Sequence, residues 1–81
     1  MIGALKTNDK VKLKDGRVCT VYKLSKANKS DSYIYGLGLD PKHPGNYEWY
    51  YENGKPVTYW ANNEPLRILN ENKTVVGIVR N

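Results

Sequence analysis

With 81 residues the chain has room for one domain and one modest core. Its single cysteine, Cys19, excludes an intrachain disulfide, and one cysteine with one histidine, His43, falls short of a structural zinc site. The formal charge of +5 is unevenly placed: residues 1–31 carry eight basic and three acidic side chains, whereas residues 32–81 carry five of each. A basic excess confined to the first third favours an anionic partner, against the plainer alternative of a solvated lysine-rich surface. With no disulfide or metal to reinforce a small core, association into a homo-oligomer is the expected route to stability. No apolar run approaches the roughly 18 residues of a membrane span, residues 1–5 are too short for a secretory h-region, and Ile2 stands where a myristoylation signal needs glycine. The expected setting is cytoplasmic, with no membrane contact and no cofactor.

Residues 10–14 (Lys-Val-Lys-Leu-Lys) alternate charged and apolar side chains, the period-2 pattern of a half-buried strand. Asp15-Gly16 follows, a pair that tolerates the positive φ of a tight hairpin turn. Residues 17–24 return as a second strand, with Val18, Thr20, Tyr22 and Leu24 on one face and Arg17, Cys19, Val21 and Lys23 on the other. Residues 25–31 are polar and lysine-rich and read as a loop. Residues 32–39 form a third strand, in which Gly36 and Gly38 signal a bend, a bulge or a close backbone approach. Two prolines stiffen the loop at 40–45. Residues 46–51 form a fourth strand that places Tyr47, Trp49 and Tyr51 on one face, and Asn53-Gly54 turns the chain. Residues 57–60 make a fifth strand, 61–65 a loop, and 66–69 and 74–79 two further short strands around the turn at Asn70-Glu71-Asn72. No window carries a convincing helical period, and Pro65 interrupts the one candidate turn at 62–69. The pattern predicts a single all-β domain. It is a small barrel or a strongly curved antiparallel sheet of the Src-homology-3-like kind, with about five to seven short strands.

The aromatic set is seven Tyr, two Trp and no Phe, and six of the nine fall between positions 47 and 60. Tyr and Trp combine a flat apolar surface with a polar tip and suit wet interfaces. Basic and aromatic side chains on one curved sheet are what base stacking with phosphate neutralisation requires. The candidates are Arg17 and Lys23 for anion contact, and Tyr47, Trp49 and Tyr59 for stacking. Trp49 is equally the natural core residue of a domain without phenylalanine. Tyr50 points away from Trp49, on the face of Glu48 and Glu52, and is expected at the surface.

Catalytic constellations are thin. Cys19 has no motif around it and reads as a small apolar residue. His43 lies in a loop with no evident partner for general-base work. Glu48 and Glu52 share a strand face about 13 Å apart, too far for a glycosidase pair. Gly36-Leu37-Gly38 is half of a dinucleotide fingerprint without its third glycine or helix. The reading is a non-enzymatic binding protein. Its partner is an anionic ligand (nucleotide or nucleic acid) or, alternatively, another protein that it inhibits or adapts.

In several pieces the sequence resembles small phage-encoded accessory proteins: Lys14-Asp15-Gly16-Arg17, Tyr35-Gly36-Leu37, Tyr50-Tyr51-Glu52-Asn53-Gly54-Lys55 and Asn63-Glu64-Pro65-Leu66. The ten Lys and nine Asn are what an AT-rich phage genome would produce. The resemblance implies an accessory or anti-defence protein in the host cytoplasm. Such a protein acts either as a sponge for a cyclic-nucleotide immune signal or as an inhibitor of a host nuclease, polymerase or defence complex. It implies no catalytic residue.

Overall fold

The computed structural model describes residues 1–29, 32–57 and 70–80. Among them the fold is all-β, with seven strands in two antiparallel sheets and single 3-10 turns at Ile2–Ala4 and Glu71–Lys73. The first sheet has the order β2-β1-β7, where β1 is Lys10–Leu13, β2 is Val18–Thr20 and β7 is Val75–Val79. The second has the order β3-β4-β5-β6, where β3 is Lys23–Lys29, β4 is Ser32–Gly38, β5 is Tyr47–Tyr51 and β6 is Pro56–Val57. The described strands do not close into a barrel.

The first hairpin forms as its alternation dictates. Val11 and Leu13 are buried while Lys10 and Lys12 stay exposed. Gly16 takes φ 95° at the turn, and the Asp15 carboxylate accepts the Arg17 backbone N–H at 3.0 Å and its Nε at 2.8 Å. The return strand is not continuous through residue 24. Val21 donates to the Asp9 carbonyl beside the first sheet, while Tyr22 donates to the Gly38 carbonyl in the second, both at 2.8 Å. The chain therefore changes sheets between these two residues, and Val21 is fully buried at the crossing.

Residues 25–31, read as a loop, are corrected: most of them continue β3, which pairs with β4 from Lys23↔Gly38 to Lys29↔Ser32. Polar and lysine-rich composition marks exposure, and a strand with one wet face satisfies it as well as a loop does. The Asn53-Gly54 turn is as expected, with Gly54 at φ 92°. The fifth strand begins at Pro56, and the expected elements beyond Val57, including Tyr59 and residues 61–69, lie outside the described residues.

The core lies between the sheets. It joins Ile2, Leu5, Val11, Leu13, Val21, Leu37, Tyr50 and Val75, each worth about 1.5–3 kcal/mol for a large apolar side chain taken fully out of water. Tyr50 corrects a second expectation. It is 1% exposed, the largest fully buried side chain among the described residues, not a surface residue. Its register partners Tyr35 and Pro56 place it on the face of β5 that meets the first sheet. Trp49 lies on the opposite face, half-buried and outside the main core. One glycine, Gly36, explains how the larger ring is accommodated there. Trp49 pairs with Gly36, and a Cβ at Gly36 would stand 3.1 Å from the indole edge and 3.0 Å from Tyr47 Cβ. The indole thus lies on the backbone where a side chain is missing, a covering of glycine by a cross-strand aromatic. Gly38 serves the other close approach, since a Cβ there would collide with the Pro44 carbonyl.

Candidate functional site

The structure separates the residues nominated from sequence. Lys23, Tyr47 and Trp49 share one face of the second sheet: register aligns Lys23 with Gly38 and Tyr47, and Ser25 with Gly36 and Trp49. Tyr47 and Trp49 contact each other with ring centroids 5.7 Å apart, tilted by 56°. Arg17 stands elsewhere, at the end of the first hairpin, beside Tyr50 and Glu48 of the opposite face. One ligand on the Tyr47–Trp49 face therefore does not also meet Arg17, and Tyr59 lies outside the described residues.

An unforeseen constellation is more open. Tyr33, Tyr35 and Tyr51, with Glu52 and Asn53, line a shallow cleft of about 650 Å³. Tyr33 is 52% exposed. The Lys26 ammonium stands 3.9 Å from the Tyr33 ring centroid and 5.8 Å from that of Tyr35. Strand pairing produces this, because Lys26 is the direct partner of Tyr35 and the diagonal neighbour of Tyr33. Glu52 brings a carboxylate to the border, but it is already engaged. It accepts from the Met1 amino group and, at 2.6 Å, from the Gly3 backbone N–H. These bonds, the amino group's first, hold its pKa below the usual carboxylate range. The signal for this cleft was present in the sequence as Lys26 and Tyr33-Ile34-Tyr35. It became legible only once residues 25–29 were strand, since a loop has no cross-strand partners.

A second cavity, of about 350 Å³, opens between the sheets. Leu13, Leu39, Cys19 and the buried Tyr50 contribute to its lining, and Arg17, Lys73, Asp40 and Glu48 supply charge. Cys19, read as a small apolar residue, is half-buried and packs against the core here. Burial first, and the Glu48 charge second, push the Tyr50 phenol well above its ordinary pKa. It therefore stays protonated and can donate a hydrogen bond throughout the physiological range.

Asp40 also gives His43 a partner that the sequence did not reveal, at 3.3 Å from His43 Nδ1. Both side chains are exposed, and Asp40 is held below the usual carboxylate range chiefly by the backbone N–H of Lys42, which donates at 2.9 Å. The pair closes the loop at 40–46, where His43 N–H donates to the Asp40 carbonyl and Asn46 N–H to the His43 carbonyl. Among the described residues no group of three His, Cys, Asp or Glu side chains is placed to hold a metal ion. No helix among them is long and apolar enough to cross a membrane.

The basic excess of the first third is divided: Arg17, Lys23 and Lys26 stand at separate places on the fold, and Lys10, Lys12 and Lys14 lie on the first hairpin. Lys10 and Lys12 project from the outer face of the first sheet, opposite Thr20, Val18, Val79 and Gly77, none of them acidic. Lys14 follows at the turn, 3.8 Å from Glu71. No family model, no curated protein and no solved structure matches this chain.

Proposed function

We propose that this chain is a non-enzymatic binding protein for a phosphate-bearing ligand with an aromatic base, a nucleotide or a nucleic-acid strand, taken up at the tyrosine cleft. The observation that carries the reading is the Lys26 ammonium beside the Tyr33 and Tyr35 rings at the edge of an open cleft. A base stacks on an exposed phenol ring, and the neighbouring ammonium meets its phosphate. The ion pair of Glu52 with the Met1 amino group offsets its repulsion of a phosphate. In the accessory or anti-defence role that the resemblance implies, such uptake sequesters a nucleotide signal.

Fluorescence anisotropy with a labelled oligothymidine and with a labelled cyclic dinucleotide tests this. Tyr33→Ala should weaken binding roughly ten- to a hundredfold, the scale of one lost base stack. Affinity that falls steeply with salt identifies a strand, because each neutralised phosphate releases counterions, whereas a shallow slope identifies the small nucleotide. If neither probe binds, or Tyr33→Ala and Lys26→Ala bind like the parent, the cleft is not the site.

A protein partner is the second reading, favoured by Val18, Val76 and Val79, which are 54%, 53% and 40% exposed on the first sheet near Lys10 and Lys12. Apolar side chains among cations suit a protein surface better than a phosphate backbone does. Native mass spectrometry of protein isolated from its own cells separates the readings, since it reports a retained nucleotide, a stoichiometric protein partner and the oligomeric state together.

A further inference from the structure

We propose that the first sheet docks an extended acidic segment of another protein, laid along the edge of β7 and carrying carboxylates at alternate positions. The proposal rests on the protein-partner reading and is independent of the tyrosine cleft. Its motive is a charge imbalance with a definite location. Every described carboxylate already stands beside a basic group of this chain, at 3.9 Å or less. Lys10 and Lys12 are exposed and share in none of these pairs. The strand period sets them on one face about 7 Å apart. Alternate side chains of any other extended strand have the same spacing, so two carboxylates two residues apart match both ammonium groups at once. Val18 and Val79 are exposed beside them, as register partners of Lys12 and Lys10. Apolar neighbours suit a protein segment and gain nothing from a phosphate backbone. A second copy of this chain would bring the same lysines and, among the described residues, no free carboxylate.

The edge of β7 gives the segment its place. Among the described residues β7 pairs with β1 alone, and its other edge is engaged at Val75, whose N–H donates to the Gly54 carbonyl at 2.9 Å. Beyond Val75 that edge offers backbone donors and acceptors to a strand laid alongside. Lysine and proline guard edges against such pairing. The edge strand β3 carries Lys23, Lys26 and Lys29, whereas β7 reads Val-Val-Gly-Ile-Val and carries neither residue type. Gly77 is the register partner of Lys12 and lies between it and the added strand. Its φ is not positive, and nothing lies within 4 Å of where a Cβ would stand. The Lys12 side chain can therefore reach across open backbone to a carboxylate of the added strand.

The probe is a capped heptapeptide of alternating glutamate and valine, titrated into isotopically labelled protein while amide resonances are followed by NMR. A glutamine–valine peptide of the same length and an oligothymidine are the comparisons. The glutamate peptide should shift Lys12, Gly77 and Val79 and leave Tyr33 and Tyr35 unmoved. The glutamine peptide should bind at least about fivefold more weakly, the scale of two lost exposed ion pairs. Lys12→Gln should weaken the glutamate peptide at least about threefold, and Lys12→Arg should bind it like the parent. Gly77→Val interposes a side chain where the fold has room, so it should weaken the peptide similarly while the urea midpoint stays unchanged or rises. The proposal is overturned if the glutamate peptide shifts none of these amides, if the glutamine peptide binds equally, or if Lys12→Gln binds like the parent. It is also overturned if oligothymidine shifts the same amides more strongly, which would assign the face to nucleic acid. A protein partner, retained in native mass spectra, that binds Lys12→Gln unchanged would overturn this docking surface and leave the protein-partner reading standing.

Discussion

Gly54→Ala should be far more damaging than Gly16→Ala, although both glycines hold nearly the same backbone angle. Gly54 has φ 92° and Gly16 has φ 95°. Alanine at either site meets the left-handed penalty of about 1–2 kcal/mol. Only Gly54 is also crowded: a Cβ there would collide with the Val75 carbonyl and the end of Met1, whereas nothing lies within 4 Å of one at Gly16. Gly54 is a fastening between the sheets, since its carbonyl accepts the Val75 N–H at 2.9 Å and its own N–H donates to Tyr51 at 2.9 Å. Backbone cannot retreat without breaking one of these bonds, so overpacking adds about 1–3 kcal/mol. The total at Gly54 is about 2–5 kcal/mol, comparable with all the stability that a core of this size commonly supplies. Urea unfolding followed by far-ultraviolet circular dichroism measures both variants by linear extrapolation. Equal midpoints for Gly54→Ala and Gly16→Ala would refute the claim that the inter-sheet contact, not the backbone angle, makes Gly54 indispensable.

Other expectations follow from the same geometry. Leu37→Ala should cost about 2–5 kcal/mol, because Leu37 is fully buried between the sheets, while Val18→Ala, at 54% exposure, should cost little; urea midpoints decide. Gly36→Val should displace the Trp49 ring from the backbone, changing the near-ultraviolet circular dichroism while the protein still unfolds cooperatively; an unchanged spectrum would contradict the stacked arrangement. Asp15 titrates below its ordinary value chiefly because it accepts the Arg17 backbone N–H, so its contribution to stability is complete above the usual carboxylate range and is lost as pH falls through the depressed value. Asp15→Asn should therefore be less stable than the parent at neutral pH and converge with it in acid; a gap that persists or widens in acid would show the wrong sign.

Much of the fold was legible along the chain because turns and alternation are local. Asp15-Gly16 and Asn53-Gly54 turn where their positive φ is needed, and Lys10 to Leu13 alternates as one sheet face must. Gly36 and Gly38 signalled a bend, a bulge or a close approach, and the structure shows close approaches at both. Turn signals and alternation pointed to a small all-β fold, and the sequence put the basic excess in the first third. Three decisions belonged to tertiary structure. Which face of β5 is inward depends on where the first sheet lies, and that sheet covers Tyr50 while Gly36 on the other side receives Trp49. Whether residues 25–29 are loop or strand depends on β4 as a pairing partner, and only that pairing brings Lys26 to Tyr33 and Tyr35. The separation of Arg17 from Lys23 depends on the change of sheet between Val21 and Tyr22, a step made by two backbone hydrogen bonds to different sheets that no period in the sequence encodes.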